Sequence, residues 1–188
     1  LPPEFLTVAQ PFRAAGYYTA YFGKWHLDGY QERDGRAVFH HVPRERRGGF
    51  DTWLGYENNN AQYDTWLHGH TGQEEVEQHR LEHYETDALT DLLLSHVEER
   101  AENEAPFFAV LSAQPPHNPY IAPAEWMGRH TPEGVQLRPN VPQVDWVRER
   151  ARRELAGYYG MIENLDWNVG RLMKALRARG LYDQTHIV

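Results

Sequence analysis

Apolar positions recur along the chain at two spacings, which predict alternating helices and strands. Spacings of three and four residues predict helices over 3–15, 86–101 and 145–179. Runs of aromatic, β-branched and other apolar residues predict strands over 17–22 and 107–112 and from Thr185 to Val188. Helices that alternate with strands in this order predict an α/β fold, with a mostly parallel sheet flanked by helices.

Two of these segments carry further structural expectations. Residues 107–112 are almost wholly apolar, which is typical of a strand buried on both faces of a parallel sheet. In the last helix, Gly157 and Gly160 should weaken or bend the chain, and Gly180 suits a C-terminal cap. The same spacing would fit a coiled coil, but a helix that covers one face of a sheet is the simpler interpretation.

Residues 28–83 differ from the rest of the chain because they are polar and rich in Gly, His, Asn and Arg. Only islands such as Phe50–Leu54 interrupt this composition, so we expect long loops with short elements. An irregular stretch of this length inside one domain usually carries function.

The amino-acid composition excludes several classes of function for this chain. A chain of 188 residues with 40% hydrophobic content fits one packed domain. Its net charge of −8 argues against nucleic acid as a partner, and no apolar run is long enough to span a membrane. The absence of Cys excludes disulfides, Cys-ligated metals and thiol nucleophiles. The missing initiator Met and the strand begun at Thr185 favour an internal piece of a longer protein over a complete domain.

Chemistry-bearing side chains follow two of the predicted strands, where ligands bind in open parallel sheets. Lys24 offers a positive charge to an anion, and His26 would point to the same side if the chain stays extended. His117 lies in a loop stiffened by proline. One Lys and two His suit oxyanion stabilisation with proton transfer near neutral pH. On spacing alone, the favoured interpretation is a surface charge at Lys24, a loop cap at His26 and an incidental His117.

A competing pattern occurs at His79–His83, which matches the inverted zinc-protease sequence H-x-x-E-H. On a helix, His79 and His83 would bind zinc and Glu82 would act as the base. The preceding residues 73–78 are almost wholly polar, so a solvated face is the favoured interpretation. A zinc hydrolase therefore stays as a distant alternative.

Residues 16–27, G-Y-Y-T-A-Y-F-G-K-W-H-L, closely resemble the second signature of the sulfatase family, G-Y-x-T-x-x-x-G-K-W-H-L. The glycine that usually follows it is replaced by Asp28-Gly29. Other segments resemble the family in collinear order, namely Gly48–Gly55, Pro106–Pro119, Tyr159–Leu172 and Gly180–Val188. The G-K-W-H-L segment is specific, and the others are strong only together.

The resemblance implies an alkaline-phosphatase-like fold and hydrolysis of sulfate esters by a hydrated formylglycine, with a divalent cation, usually Ca²⁺. By motif, Lys24 would contact the sulfate and the formylglycine. His26 would bond the formylglycine and assist breakdown of the covalent intermediate. His117 would contact the ester oxygen and protonate the leaving group. A periplasmic, secreted or lysosomal compartment is suggested by the resemblance alone.

The departures from the family pattern qualify this expectation. The family makes its formylglycine within a C/S-x-P-x-R motif, and neither serine, Ser95 or Ser112, begins one. We therefore expect the nucleophile and the metal ligands to lie outside the chain, and the isolated polypeptide to be inactive. Residues 1–188 would be the central part of one catalytic domain, with 28–83 a loop-rich insertion near the active site.

The substrate class stays open at the level of sequence. A small-molecule or carbohydrate sulfate ester is expected, and the loop Glu57–His70 has the amide, aromatic and His side chains that suit a sulfated sugar. A structural surface loop is the equal alternative. A phosphoesterase or phosphonate hydrolase of the same superfamily, or an inactive sulfatase-like binding protein, stays as an alternative function. The sequence leaves the oligomeric state undetermined.

Overall fold

The computed structural model describes residues 2–29, 36–37, 39–103 and 105–188. These residues form two compact units. The sheet unit comprises Leu1–Gln114 and Arg171–Val188, and the helical unit comprises Pro115–Gly170.

The sheet unit is built on five strands in the order β4-β3-β2-β1-β5. Their bounds are β1 Tyr18–Lys24, β2 Thr52–Tyr56, β3 Trp66–Thr71, β4 Glu74–Arg80 and β5 Phe107–Ser112. Strand β1 pairs in parallel with both β2 and β5, whereas β3 pairs antiparallel with β2 and β4. The expected α/β fold is thereby confirmed, with three parallel strands extended by an antiparallel hairpin.

The described residues form four α-helices: α1 Ala9–Ala14, α2 Glu85–Ala101, α3 Ala124–Met127 and α4 Asp145–Ala178. The helical unit holds α3 and most of α4, and the last turns of α4 belong to the sheet unit. Among the helices of the described residues, none combines the length and the apolar character that crossing a membrane would require.

Alternation along β1 divides the core of the sheet unit between two faces. Ala20 and Phe22 pack in one cluster with Leu93 of α2 and Leu176 of α4. Tyr21 belongs to a separate cluster, and its other members are Ala9, Trp25, Val42, Phe50 and Trp53. Helices therefore cover the first face, and aromatic side chains fill the second.

Helix α1 is shorter than the predicted 3–15, because it begins at Ala9. Pro11 lies in its first turn, where a missing N–H costs no intrahelical hydrogen bond. The other helix predictions are confirmed to within about two residues, and α4 continues through Gly157 and Gly160. A Cβ at Gly157 would lie 2.2 Å from the Tyr120 carbonyl oxygen, so this glycine permits close backbone approach within the helical unit.

The stretch 28–83 contains more regular structure than its composition indicates, since β2, β3 and β4 all lie within it. Its residues 30–35 and 38 lie outside the described residues. Strand β4 escaped detection because six of its seven residues are polar and most are exposed. Pairing with β3, rather than an apolar face, holds it in the sheet.

Two strand predictions are wrong in part. Strand β5 is half-buried along its whole length instead of fully buried, because it pairs on one side only within the described sheet. Residues 185–188 follow a short 3₁₀ turn and form no strand. A strand needs ladder hydrogen bonds to a neighbour, and no ladder includes these residues in the sheet as described.

The zinc hydrolase hypothesis is also contradicted. His79 lies in the extended strand β4, which ends at Arg80, and Glu82 and His83 follow in an exposed turn. The helix that would align His79 with His83 does not form over these described residues. This segment is an exposed strand followed by a turn.

Two buried histidines are held in their neutral form inside the sheet unit. The Nε2 atom of His68 accepts a hydrogen bond from the Val42 N–H at 2.9 Å, and the side chain has no exposed surface. Burial first, and then the charge of His41, lowers the pKa of His68 to about 3. Burial and the charge of Arg100 lower the pKa of His96 to about 4.

Acidification from pH 7 to pH 5 should lower the free energy of unfolding by about 2 kcal/mol for each of these two histidines. Their folded-state pKa values lie below the unfolded value of about 6.5, so the unfolded chain binds protons that the folded chain does not. Their contribution is complete above about pH 6.5 and declines as the pH falls toward the folded-state values. Urea unfolding followed by Trp fluorescence at both pH values measures it.

Variants separate these histidines from the rest of the acid response. His68→Gln keeps an acceptor for Val42 but does not titrate, so the loss of unfolding free energy between pH 7 and pH 5 should be about 2 kcal/mol smaller in this variant. His79→Ala, at an exposed position of β4, should leave the dependence unchanged. An undiminished pH dependence in His68→Gln would contradict the assignment.

Candidate active site

Lys24 and His26 lie at the carboxyl end of β1, the central strand of the parallel set. Pairing with the neighbouring chain segment continues beyond Lys24. The Trp25 N–H donates to the Tyr56 carbonyl at 2.7 Å, and the His26 N–H donates to the Glu57 carbonyl at 2.8 Å. The sheet therefore fixes the backbone on which both side chains are mounted.

The chain turns at His26, whose φ of 53° lies in the left-handed region. The chain is therefore not extended at His26, and the condition under which His26 would point to the same side as Lys24 is not met. Trp25 is buried and packs edge-on against Tyr21 and Trp53, at ring-centroid distances of 5.0 and 5.8 Å. The buried indole anchors the turn, while His26 is exposed to solvent.

The carbonyl oxygen of Lys24 accepts a hydrogen bond from the Tyr21 hydroxyl group. Burial, and to a smaller degree the charge of Glu57, raises the pKa of Tyr21, while a hydrogen bond to Ser112 lowers it. Tyr21 therefore remains a protonated donor at neutral pH and ties the end of β1 to the aromatic core beneath it.

A buried carboxylate, Glu85, lies within electrostatic range of Lys24. Its oxygens accept from the Thr65 hydroxyl group at 2.8 Å and from the Gln114 N–H at 3.1 Å. Burial raises the pKa of Glu85, and hydrogen bonds from Tyr56, Thr65 and Gln114, followed by the charge of Lys24, oppose that rise. Glu85 thus joins residues at the ends of β2, β3 and β5.

A buried polar layer extends from Glu85 into the loop after β2. Asn59 Nδ2 donates to the Thr65 hydroxyl group at 2.8 Å, and the Asn59 N–H donates to Gln114 Oε1 at 3.3 Å. Gln114 Nε2 donates to Asn60 Oδ1 at 2.5 Å. Asn59 and Thr65 are almost fully buried. The amide groups in the first half of the loop Glu57–His70 therefore brace the structure.

Aromatic side chains of the same region remain accessible. Tyr63 is exposed, and Phe39 is exposed and packs against Trp66 at 5.5 Å between ring centroids. His68 and His70, at the end of this loop sequence, are buried in β3. Any contact of this region with a ligand would therefore use Tyr63 and Trp66 of the loop, or Phe39 packed beside Trp66, rather than the two histidines.

His117 belongs to the helical unit, in the loop that precedes α3. Its side chain is exposed, and its Nδ1 donates to the Asn118 carbonyl oxygen at 2.6 Å. Nδ1 is therefore the protonated nitrogen in this hydrogen bond. Lys24 and His26 share one strand end of the sheet unit, whereas His117 is presented by this separate unit.

Sequence reasoning missed Glu57 and Glu85, the two buried carboxylates of this region. Each has less than 2% of its surface exposed. Glu85 is the first residue of α2, where an acidic residue is ordinarily explained by the helix dipole. Glu57 follows a strand in a polar segment that resembles an exposed loop. The sequence therefore does not indicate that either carboxylate is buried.

Whether these residues could hold a metal ion depends on which His, Asp and Glu side chains lie close together. Within residues 2–29, 36–37, 39–103 and 105–188, no group of three or more His, Asp or Glu side chains is arranged to hold one. The described residues therefore do not make up a metal centre.

Comparisons with known proteins identify the family. A family model described as Sulfatase matches residues 1–188. The ulvan-active sulfatase of Formosa agariphila is 36% identical over 202 residues, which cover 100% of this chain and 35% of that protein. A YidJ sulfatase structure from Bacteroides fragilis has a TM-score of 0.82 at 24% identity, covering 97% of this chain and 42% of that one.

A further structure with the same fold contains a sulfated sugar. BT4656, in complex with its substrate D-glucosamine-2-N,6-O-disulfate, has a TM-score of 0.69 at 15% identity. The match covers 97% of this chain and 48% of that protein. The chain thus spans less than half the length of each of these three relatives, and the two structures establish its alkaline-phosphatase-like fold.

Proposed function

Because the chain belongs to the sulfatase family, we propose that the protein hydrolyses sulfate monoesters of carbohydrates, with Lys24, His26 and His117 as catalytic residues. The observation that carries this proposal is the position of Lys24 and His26 together at the carboxyl end of β1. Ligands of open parallel sheets bind at this end of the strands.

Lys24 would neutralise charge on the sulfate oxygens. A sulfate monoester brings a negative charge to the site, and charge on its oxygens must be stabilised while the ester bond breaks. The ammonium group of a half-buried lysine on a strand end held by the sheet supplies that stabilisation with little reorganisation. The charge of Lys24 also opposes the rise that burial causes in the pKa of Glu85, so the two groups lie within electrostatic range of each other.

His26 and His117 would handle protons. His26 is exposed on a turn held by the sheet, where it would hydrogen-bond the formylglycine supplied by another segment and take up its proton. His117 Nε2 would donate a proton to the departing alkoxide, because Nδ1 already donates to Asn118. Sugar alkoxides are poor leaving groups, so this proton matters most for carbohydrate substrates.

The family generally uses a formylglycine nucleophile and a divalent cation. These 188 residues contain no C/S-x-P-x-R motif, and the described residues do not fit a metal centre. We therefore propose that both groups, with Ca²⁺ as the expected cation, are supplied by segments outside this sequence. The roles proposed for Lys24, His26 and His117 are accordingly limited to sulfate binding and proton transfer.

Carbohydrate is the proposed substrate class for two reasons. The 36% identical relative is an ulvan-active sulfatase, and BT4656 has a sulfated glucosamine as its substrate. On this chain, Phe39, Tyr63 and Trp66 offer exposed or half-exposed aromatic faces that suit the apolar faces of sugar rings.

The full-length protein should release sulfate from ulvan and from sulfated glucosamine. It should also cleave 4-nitrophenyl sulfate, and the matched ester 4-nitrophenyl phosphate should react far more slowly. Sulfate and phosphate release under identical conditions measures this preference. Faster phosphate release would favour a phosphoesterase, and no turnover of any ester would favour an inactive binding protein.

His117→Ala tests the proton-donor role within the same assay. The variant should lose more activity on a sugar sulfate than on 4-nitrophenyl sulfate, because nitrophenolate departs without a proton donor. His83→Ala, at an exposed turn position, is the matched control and should react like the unchanged protein. Equal losses on both esters in His117→Ala would contradict the assigned role.

A further inference from the structure

We propose that Glu57 is a positioning residue that holds the Trp25–Gly29 turn and thereby sets the places of Lys24 and His26. This inference rests on the proposed function, because it concerns the same two catalytic side chains. Glu57 immediately follows β2 and contacts the turn through both its backbone and its carboxylate.

The contacts are all with backbone groups of the turn. The Glu57 carbonyl accepts the His26 N–H at 2.8 Å. Its carboxylate accepts the Asp28 N–H at 3.0 and 3.1 Å, one distance to each oxygen, and the Gly29 N–H at 3.0 Å. One residue thus receives three donors from four consecutive residues of the turn.

The burial of Glu57 indicates that its contacts with the turn are an integral part of the folded structure. Only 1% of the residue is exposed, and burying an ionised carboxylate is costly unless hydrogen bonds compensate its charge. Backbone N–H groups that point at a carboxylate make stronger hydrogen bonds than neutral pairs do. The turn therefore closes around the carboxylate of Glu57.

The contacts of Glu57 with the turn, which we call the clamp, matter because of the backbone conformation of His26. A residue other than glycine in the left-handed region is strained, and such residues persist only where their surroundings hold them. Glu57 bonds the His26 N–H and both N–H groups beyond Leu27, so it constrains the chain on either side of Leu27. Without this constraint, the turn can relax and carry the His26 side chain away from the reacting group.

A second set of contacts holds the outer side of the turn. The Asp28 carboxylate pairs with Arg46 Nε and His40 Nε2, both at 2.6 Å. Asp28 replaces the glycine that usually follows the G-K-W-H-L segment, so this chain carries an additional anchor there. With Asp28 retained, loss of the Glu57 carboxylate should loosen the turn without releasing it from the fold.

The test compares Glu57→Gln with Asp51→Asn in the full-length protein. Asp51 immediately precedes β2, and its carboxylate accepts the Thr19 N–H and hydroxyl group, both at 2.9 Å. It therefore matches Glu57 in chemistry but lies at the opposite end of the strand. In Glu57→Gln the charge is lost and the amide nitrogen cannot accept a backbone N–H, and both changes weaken the clamp.

Glu57→Gln should lower kcat for 4-nitrophenyl sulfate by about 10- to 100-fold with little change in KM, because displaced catalytic groups slow the chemical step. Amide exchange at Asp28 and Gly29 should accelerate in the same variant. Asp51→Asn should change neither measurement, although its melting temperature should fall. Glu57→Asp keeps the charge but shortens the side chain by one methylene, so it should give smaller changes in the same direction. If Glu57→Gln does not fold, the same two measurements on Glu57→Asp test the positioning role.

Unchanged exchange at Asp28 and Gly29, or a kcat loss no larger than that of Asp51→Asn, would overturn the positioning role. Failure of the proposed function gives a different result, namely no sulfate release by the unmodified protein. The exchange measurement would still decide whether Glu57 clamps the turn in that case.

Discussion

Lys24→Met should lower kcat/KM for sulfate esters by about 10²- to 10³-fold, the range observed when one stabilising donor is removed from a developing charge. Methionine keeps much of the length and apolar stem of lysine but removes the ammonium group. The strand end should remain in place, because the backbone hydrogen bonds from Trp25 and His26 do not involve the Lys24 side chain. Steady-state kinetics with 4-nitrophenyl sulfate measures the loss.

The chain offers a matched control for Lys24, because Lys174 is its only other lysine. Lys174 is exposed on α4, so Lys174→Met should leave kcat/KM unchanged. Lys24→Arg should restore part of the activity lost in Lys24→Met, since it returns the charge with a different geometry. A Lys24→Met variant as active as Lys174→Met would contradict the assignment of Lys24 to the sulfate.

Gly23→Ala should destabilise the sheet unit by about 3–5 kcal/mol, because overpacking and an unfavourable backbone conformation add. Gly23 has a φ of 115° and lies opposite Ser112 in the β1–β5 ladder. A Cβ at this position would lie 2.3 Å from the Ser112 carbonyl oxygen, and backbone atoms cannot move aside as a flexible side chain can. A loss of this size is comparable with the whole stability of many domains.

Gly16→Ala is the control for Gly23→Ala. Gly16 also has a positive φ, of 86°, but among the described residues nothing lies within 4 Å of the position that a Cβ would take there. Its substitution should therefore cost only about 1 kcal/mol, the conformational part of the effect. Urea unfolding of both variants separates the steric contribution from the conformational one. Equal losses at the two glycines would contradict the steric argument.

The segments predicted most accurately share a strong apolar pattern. Helices α2 and α4 and strands β1 and β5 agree with their predicted bounds to within about two residues at each end, because each buries an apolar stripe or run. Lys24 and His26 could be assigned to a strand end for the same reason, since the run before them is unmistakably a strand. The family resemblance then gave these residues chemical roles.

The elements that were missed or misread depend on pairing rather than on apolar pattern. Strand β4 is polar and is held by its ladder with β3, so no alternation marks it. Residues 185–188 have strand composition but no ladder in the described sheet. Strand formation needs a partner, and a single sequence does not record where that partner lies.

The sequence by itself determined the order of the main elements, the α/β class, the family and the strand end that bears Lys24 and His26. Only the tertiary structure decided which polar residues are buried and what they hold. Glu57 reaches Asp28 and Gly29 across 29 and 28 residues, and Glu85 reaches Gln114 across 29. The reason is physical: a carboxylate is tolerated inside a protein only where donors converge on it, and the fold brings those donors together from distant parts of the chain.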